Sequence, residues 1–101
     1  METHVDTNTQ TTAECASTFR NIGSALRKVG NCEDAILYLK RAMKIRQDLD
    51  IIETPDGASV LLDLARSHES LFHQKGKQVH LSIAVEHFDR GINIRRKAGF
   101  Q

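Results

Sequence analysis

The sequence predicts an all-α fold built from four helices. The 101 residues include one proline and six glycines, which are too few breaks for a protein of many short strands. Apolar residues recur at the three- and four-residue spacing of amphipathic helices, and no segment shows a sustained alternation of apolar and polar residues. A chain of this length is sufficient for one domain with a modest core.

The first helix is expected to begin near Thr11, after a polar N-terminal segment. Residues 1–10, METHVDTNTQ, predict a flexible tail ahead of a helical domain at residues 11–101. Thr11 and Glu14 have capping-box spacing, in which each side chain satisfies a backbone N–H at the helix start. Gly30 supplies a left-handed stop. The apolar face comprises Phe19, Ile22, Gly23 and Leu26.

Asn31 is expected to cap the second helix. Glu33 and Asp34 lie in its first turn, where the helix dipole favours anions. The helix is expected to extend to about Leu49, so residues 11–50 form a helical hairpin. Its inner face comprises Ala35, Ile36, Leu39, Ala42 and Met43.

Thr54 and Pro55 mark the start of the third helix, as a cap residue followed by proline at the first helical position. This helix ends near Gly76, and the fourth runs to about Lys97, so a second hairpin covers residues 55–98. The apolar face of the third helix comprises Ala58, Leu61, Leu64, Ala65, His68, Leu71 and Phe72. That of the fourth comprises Val79, Ile83, Ala84, Phe88, Gly91 and Ile92.

The two hairpins are repeats of unequal length. Gly23 and Ala65 are 42 residues apart, whereas Ala35 and Ala84 are 49 residues apart. Of the seven additional residues, four lie before Gly76 and three after it. We expect them to extend each helix of the second hairpin by about one turn rather than to form a loop.

The repeated pattern resembles the tetratricopeptide repeat (TPR). It reads Phe19-x-x-Ile22-Gly23-x-x-Leu26, then Ala35-x-x-x-Leu39, then Ala42. The second copy reads Leu61-x-x-Leu64-Ala65-x-x-His68, then Ala84-x-x-x-Phe88, then Gly91. The run Ala42-Met-Lys-Ile-Arg46 and the later Pro55-Asp56 are similar to the longer-period repeats of kinesin light chains. The resemblance covers roughly residues 14–97 and implies a short right-handed solenoid of about two repeats.

In TPR proteins, small residues let the paired helices approach closely, and the first helices of successive repeats line a groove that binds peptides. The resemblance therefore implies a scaffold or adaptor that binds a peptide or partner tail. The groove stripe carries four positive charges and one acid, which favours an acidic partner. Its residues are Arg20, Asn21, Ser24, Arg27, Lys28, Leu62, Arg66 and Glu69, beside Ser17, Ser59 and Ser70.

Two details qualify the groove. Asn21 matches the asparagine that TPR grooves often use on a peptide backbone, but Asp63 replaces it in the second repeat. The carboxylate clamp of chaperone-binding TPR domains requires a lysine and an asparagine one turn apart, and Arg20 and Ser24 do not match it. Solvated polar residues on a helix face are the alternative interpretation of the stripe.

The alternative function is structural self-assembly. Repeat arrays usually need about three repeats and polar caps, because each hairpin buries its apolar face on a neighbour. The open face of the last hairpin is expected to carry Val79, Ile83, Ile92 and Ile94. The chain is then a fragment of a longer array, a homodimer that covers this face, or a small protein whose ends fold back.

Catalytic, cofactor and metal sites are not expected. The sequence has no glycine-rich phosphate loop, HExxH, CxxC pair or nucleophile elbow. His80 and His87 are about 10 Å apart along one helix, too far to share a zinc ion without other ligands. We expect surface histidines there and at His73, and a packed histidine at the core edge at His68.

The two cysteines open the first two helices. Cys15 and Cys32 would lie at opposite ends of the first hairpin, on the order of 20 Å apart, so no disulfide joins them. We expect Cys32 to be a plain exposed thiol. No apolar run is long enough to span a bilayer, the N-terminus lacks a secretory signal, and the net charge is +1. The sequence thus predicts a cytoplasmic protein without nucleic-acid or membrane partners, and the basic run Arg95-Arg96-Lys97 is expected to complement the helix dipole.

Overall fold

The computed structural model describes residues 12–99. In this range the chain forms four helices, α1 (Ala13–Lys28), α2 (Cys32–Asp48), α3 (Pro55–Lys75) and α4 (Gln78–Lys97), and no strand occurs among these residues. The predicted all-α class is confirmed. The expected tail at residues 1–10 and the expected cap Thr11 lie outside the described residues.

The helix ends are set by local capping. Thr12 caps α1, because its side chain accepts a hydrogen bond from the backbone N–H of Cys15. The predicted cap was one residue earlier. Thr54 accepts from the N–H of Gly57 at the start of α3, as predicted. Gly76 ends α3 in the left-handed conformation, with φ at 71°. Asn31 occupies the cap position of α2, but its side chain makes no capping hydrogen bond.

The second pair of helices is longer than the first. Helices α3 and α4 have 21 and 20 residues, whereas α1 and α2 have 16 and 17. Only residues 76–77 separate α3 from α4. The expectation that the additional residues extend the helices is confirmed.

The helices pack mainly against their neighbours in sequence: α1 on α2, α2 on α3, and α3 on α4. Arg46 near the end of α2 donates a hydrogen bond from Nη2 to Ser17 near the start of α1, at 3.0 Å, so these two helices are antiparallel. We refer to α1 and α2 as hairpin 1 and to α3 and α4 as hairpin 2.

Small residues lie where the helices of each hairpin approach each other. Ala35, Ala42 and Ala84 are buried. A Cβ atom added to Gly23 would lie 2.7 Å from Leu39 Cγ, and one added to Gly91 would lie within 2.8 Å of the Leu62 side chain. Larger side chains at these positions would separate the helices, which explains the recurrent alanine and glycine in otherwise apolar faces.

The main core joins the two hairpins through α3. Eleven residues of α3 are buried, whereas only Ala16 and Gly23 of α1 are. The principal cluster of buried apolar residues comprises Ala16, Cys32, Ala35, Ile36, Leu39, Ala42, Val60, Leu64 and Leu71. A smaller cluster of Ala58, Leu61 and Ile94 lies within hairpin 2.

Candidate functional site

The stripe of polar residues predicted to bind a peptide is mostly accessible. Helices α1 and α3 supply its residues, and hairpin 1 and hairpin 2 each contribute one of these helices. Asn21, Lys28, Arg66 and Glu69 are exposed, and Arg20, Ser24 and Arg27 are half-buried.

Leu62 is the exception, and its assignment to the stripe is wrong. Its side chain is buried and fills the space above Gly91, which has no side chain of its own. Leu62 therefore belongs to the contact between α3 and α4, not to an accessible surface. Gly91 stands at the position that Ala42 occupies in hairpin 1, and its lack of a side chain leaves room for Leu62.

A buried carboxylate joins α3 to α1. Asp63 on α3 has a side chain only 5% exposed. Its Oδ2 accepts a hydrogen bond from Arg20 Nε on α1 at 3.1 Å, and its Oδ1 lies 3.4 Å from Arg66 Nη1 one turn along α3. Two guanidinium groups thus compensate one desolvated carboxylate, as a buried charge requires.

This network changes the charge expected for the stripe. The four cations Arg20, Arg27, Lys28 and Arg66 face two acids, Asp63 and Glu69, rather than one. Sequence reasoning treated Asp63 as a substitute for Asn21 and missed its partner in the other repeat. Arg20 and Asp63 are 43 residues apart, close to the 42-residue repeat, and that separation was the available signal.

Two arginines of hairpin 1 have polar atoms that are buried and unpaired within residues 12–99. Arg27 and Arg46 each have a buried Nε without a hydrogen-bond partner there. Arg46, which lies under α1, was not singled out from the sequence as a buried residue. Its Nη2 bonds Ser17, one of the polar residues beside the predicted stripe. A buried positive charge therefore lies beside Ser17, near the start of α1.

The predicted open apolar face of α4 is only partly open. Val79 and Ile92 are exposed, with 56% and 42% of their surface accessible, and Ile83 is half-buried. Ile94 is buried with Ala58 and Leu61, so its assignment to an oligomer interface is corrected. Ile94 lies towards α3 because it is one turn after Gly91, where α4 approaches α3 most closely.

Three histidines form a cluster between α3 and α4. The Nδ1 atoms of His68 and His80 lie 3.3 Å apart, and the His68 ring stacks on those of His80 and His87. The Nδ1 atom of His87 lies 2.9 Å from the Ile83 carbonyl oxygen, which accepts a hydrogen bond when Nδ1 carries the proton. His68 is buried as expected. His80 and His87 are half-buried, so the expectation of surface histidines is wrong for both, whereas His73 is exposed.

The cluster changes the acidity of one of its members. Burial lowers the pKa of His68 from 6.5 to about 4, and the positive charge that His80, His87 and Lys40 can carry acts in the same direction. His68 is therefore neutral at neutral pH.

Residues 12–99 contain no arrangement of side chains suited to a metal ion. No group of three or more His, Cys, Asp or Glu residues in this range could hold one. Both cysteines are free, but Cys32 is buried near Gln74 and is not the exposed thiol expected from the sequence. None of the four helices is both long enough and apolar enough to cross a membrane.

A second surface feature lies on hairpin 1, on a side of α1 and α2 that neither of the other helices within residues 12–99 lines. It is an open groove of about 620 Å³ that sequence reasoning did not single out. Its lining comprises Ile22, Leu26, Asp34, Leu37, Tyr38 and Arg41. The Arg41 guanidinium stacks over the Phe19 ring, 4.4 Å from its centroid.

Comparison with known proteins adds no relative. No family model matches the chain, and neither does any curated protein or any solved structure.

Proposed function

We propose that this chain is a TPR-like protein-interaction module and that its α1–α3 surface binds an acidic segment of a partner protein. The repeat pattern supports the fold part of the proposal, because both hairpins place alanine or glycine at their closest approaches. The sequence resemblance to TPR proteins supplies the link from such hairpins to peptide binding.

The observation that carries the proposal is the Arg20–Asp63–Arg66 network. Asp63 uses one oxygen for each arginine, so guanidinium groups from two helices are held on one surface. Arg20 is bonded only through Nε among residues 12–99, which leaves its two terminal nitrogens as donors for a ligand. A guanidinium oriented in this way binds a carboxylate with less loss of side-chain entropy than a mobile one.

The neighbouring side chains extend this surface with further positive charge. Arg27 and Lys28 lie two turns along α1 from Arg20 and have no ion-pair partner among residues 12–99. The surface therefore offers four cations against Asp63 and Glu69. Asn21 adds an exposed amide able to bond a peptide backbone.

The test is binding of a fluorescently labelled oligoglutamate peptide, with a Gly/Ser peptide of equal length as the ligand control. Arg27→Glu combined with Lys28→Glu reverses two charges that have no ion-pair partner among residues 12–99. We expect it to weaken oligoglutamate binding at least about tenfold, corresponding to about 1.4 kcal/mol. Arg20 and Arg66 are left intact because the loss of either would leave the buried Asp63 short of a partner and confuse binding with folding.

Arg90→Glu combined with Lys97→Glu is the matched control. Both residues are exposed on α4, and the change in net charge is the same. Unchanged affinity in this variant supports a located site. An equal loss in both variants would show that only overall charge matters. Equal binding of the Gly/Ser peptide would show that acidic side chains are not recognised. Either result would overturn the proposal.

A further inference from the structure

The contact between the two hairpins provides a template for a second contact. Val60, Leu64 and Leu71 form a stripe on α3 and belong to one buried cluster with Ile36 of α2. The half-buried Met43, two turns further along α2, packs against the same cluster. Hairpin 2 is therefore held on hairpin 1 by an α3 stripe on an α2 stripe.

The repeat reproduces the α3 stripe along α1 and just after its end, where no other helix of residues 12–99 covers it. The counterparts 42 residues earlier are Thr18, Ile22 and Val29. Thr18 is exposed, Ile22 is 38% exposed, and Val29 is 78% exposed. We call this stripe the head face. The groove of about 620 Å³ opens beside it, since Ile22 is part of its lining.

The repeat also reproduces the α2 stripe on α4. The counterparts of Ile36 and Met43, 49 residues later, are Val85 and Ile92, which are 55% and 42% exposed. We call these two residues, with Asp89 between them, the tail face. Each end of the molecule thus exposes one half of the contact that its centre buries.

Charge is compatible with the same pairing. Asp89 is the counterpart of Lys40, which lies close enough to His68 to lower its pKa. The counterpart of His68 in hairpin 1 is Leu26, in the lining of the groove that also contains Arg41. A second copy packed in the register of the α2–α3 contact therefore brings the Asp89 carboxylate to a groove lined by the Arg41 guanidinium and the Asp34 carboxylate, so one attraction and one repulsion are present.

We propose that the chain associates head to tail with a second copy of itself, the head face of one copy packing on the tail face of the next. The two faces differ, so the contact is heterologous, and each added copy leaves one head and one tail free for growth. Of the interface expected at Val79, Ile83, Ile92 and Ile94, this form of self-association keeps only Ile92. It does not depend on peptide binding, because Arg27 and Arg66 lie on neither face.

The test measures light-scattering molar mass after size exclusion, from about 10 μM to about 1 mM. A tail variant combines Val85→Glu with Ile92→Glu, and a head variant combines Ile22→Glu with Val29→Glu. The matched control combines Val79→Glu with Leu49→Glu, whose exposures of 56% and 42% match those of the tail pair. Circular dichroism verifies folding, and Val29→Glu with Leu37→Glu serves as the head variant if Ile22→Glu unfolds the chain.

The expected pattern has three parts. The mass of the unsubstituted chain and of the control rises with concentration above the 11.3 kDa monomer. Each face variant alone stays monomeric. An equimolar mixture of the two variants forms a complex of two chains and nothing larger, because one intact head meets one intact tail.

Three results would overturn the proposal. The unsubstituted chain could stay monomeric throughout the range. The head variant could still form a dimer, which indicates a symmetric contact through α4. The mixture of face variants could stay monomeric although the unsubstituted chain associates.

Discussion

Helices α1 and α3 have the same position in their hairpins, yet their burial differs. Val60, Leu64 and Leu71 of α3 are almost fully buried, whereas Ile22 of α1 and Val29 just after its end, at the equivalent positions, are exposed. Both stripes have the spacing of one helix face. The difference arises because α3 lies between hairpin 1 and α4, whereas α1 packs mainly against α2 and only lightly against α3. The helices packed around a residue, rather than its place in the local pattern, therefore set how much its side chain contributes to stability.

The largest expected effect tests this contrast directly. We expect Leu64→Ala to lower the free energy of unfolding by about 3 kcal/mol, because it opens a cavity in the core between the hairpins. We expect Ile22→Ala, at the equivalent position of α1, to lower it by less than about 1 kcal/mol. Urea unfolding followed by circular dichroism measures both. Similar losses would contradict the difference in burial.

The second prediction concerns pH. The position of His68 in hairpin 2 is occupied by Leu26 in hairpin 1, so only hairpin 2 has a titrating cluster there. Because the pKa of His68 is lowered from 6.5 to about 4, its protonation favours the unfolded state. The free energy of unfolding is then highest above pH 6.5 and falls as the pH drops towards 4.

The expected loss between pH 7 and pH 5 is about 2 kcal/mol, measured by urea unfolding at each pH. His68→Leu installs the residue type of hairpin 1 and should remove most of this pH dependence. His73→Leu, at an exposed histidine, is the control and should leave it unchanged. An unaltered pH dependence in His68→Leu would show that other groups are responsible.

The smallest expected effect compares the two close approaches. Gly23→Ala places a Cβ 2.7 Å from Leu39 Cγ, which is fully buried, and 3.0 Å from the Ala35 carbonyl oxygen. Gly91→Ala places one 2.8 Å from Cδ2 at the end of the Leu62 side chain, which is 8% exposed, and 3.3 Å from the Ala58 carbonyl oxygen. Alanine gains up to about 1 kcal/mol of helix propensity at either site.

We therefore expect Gly23→Ala to be destabilising by about 1 kcal/mol and Gly91→Ala to be neutral within about 0.5 kcal/mol. Thermal unfolding monitored by circular dichroism distinguishes them. The reverse order would mean that α3 and α4 are packed more rigidly than α1 and α2.

Features that depend on neighbouring residues were predictable from the amino-acid order. Helix periodicity places the four helices, and Thr54, Pro55 and Gly76 bound α3 where capping preferences place them. The alanines at the closest approaches were also recognisable, because a small residue that recurs in an apolar face indicates that two helix backbones come close together there. Helix ends and faces arise within one or two helical turns, so local sequence is sufficient to specify them.

Features that join distant segments required the tertiary structure. Asp63 contacts Arg20 across 43 residues, His68 contacts His80 across a turn, and Leu62 turns inward only because Gly91 lies below it. Periodicity places a residue on one side of its helix but does not say which helix covers that side. The amino-acid order therefore determined the helices and their small-residue contacts. The packing of α3 between its neighbours decided which polar groups pair and which apolar faces stay open, because burial depends on what lies opposite.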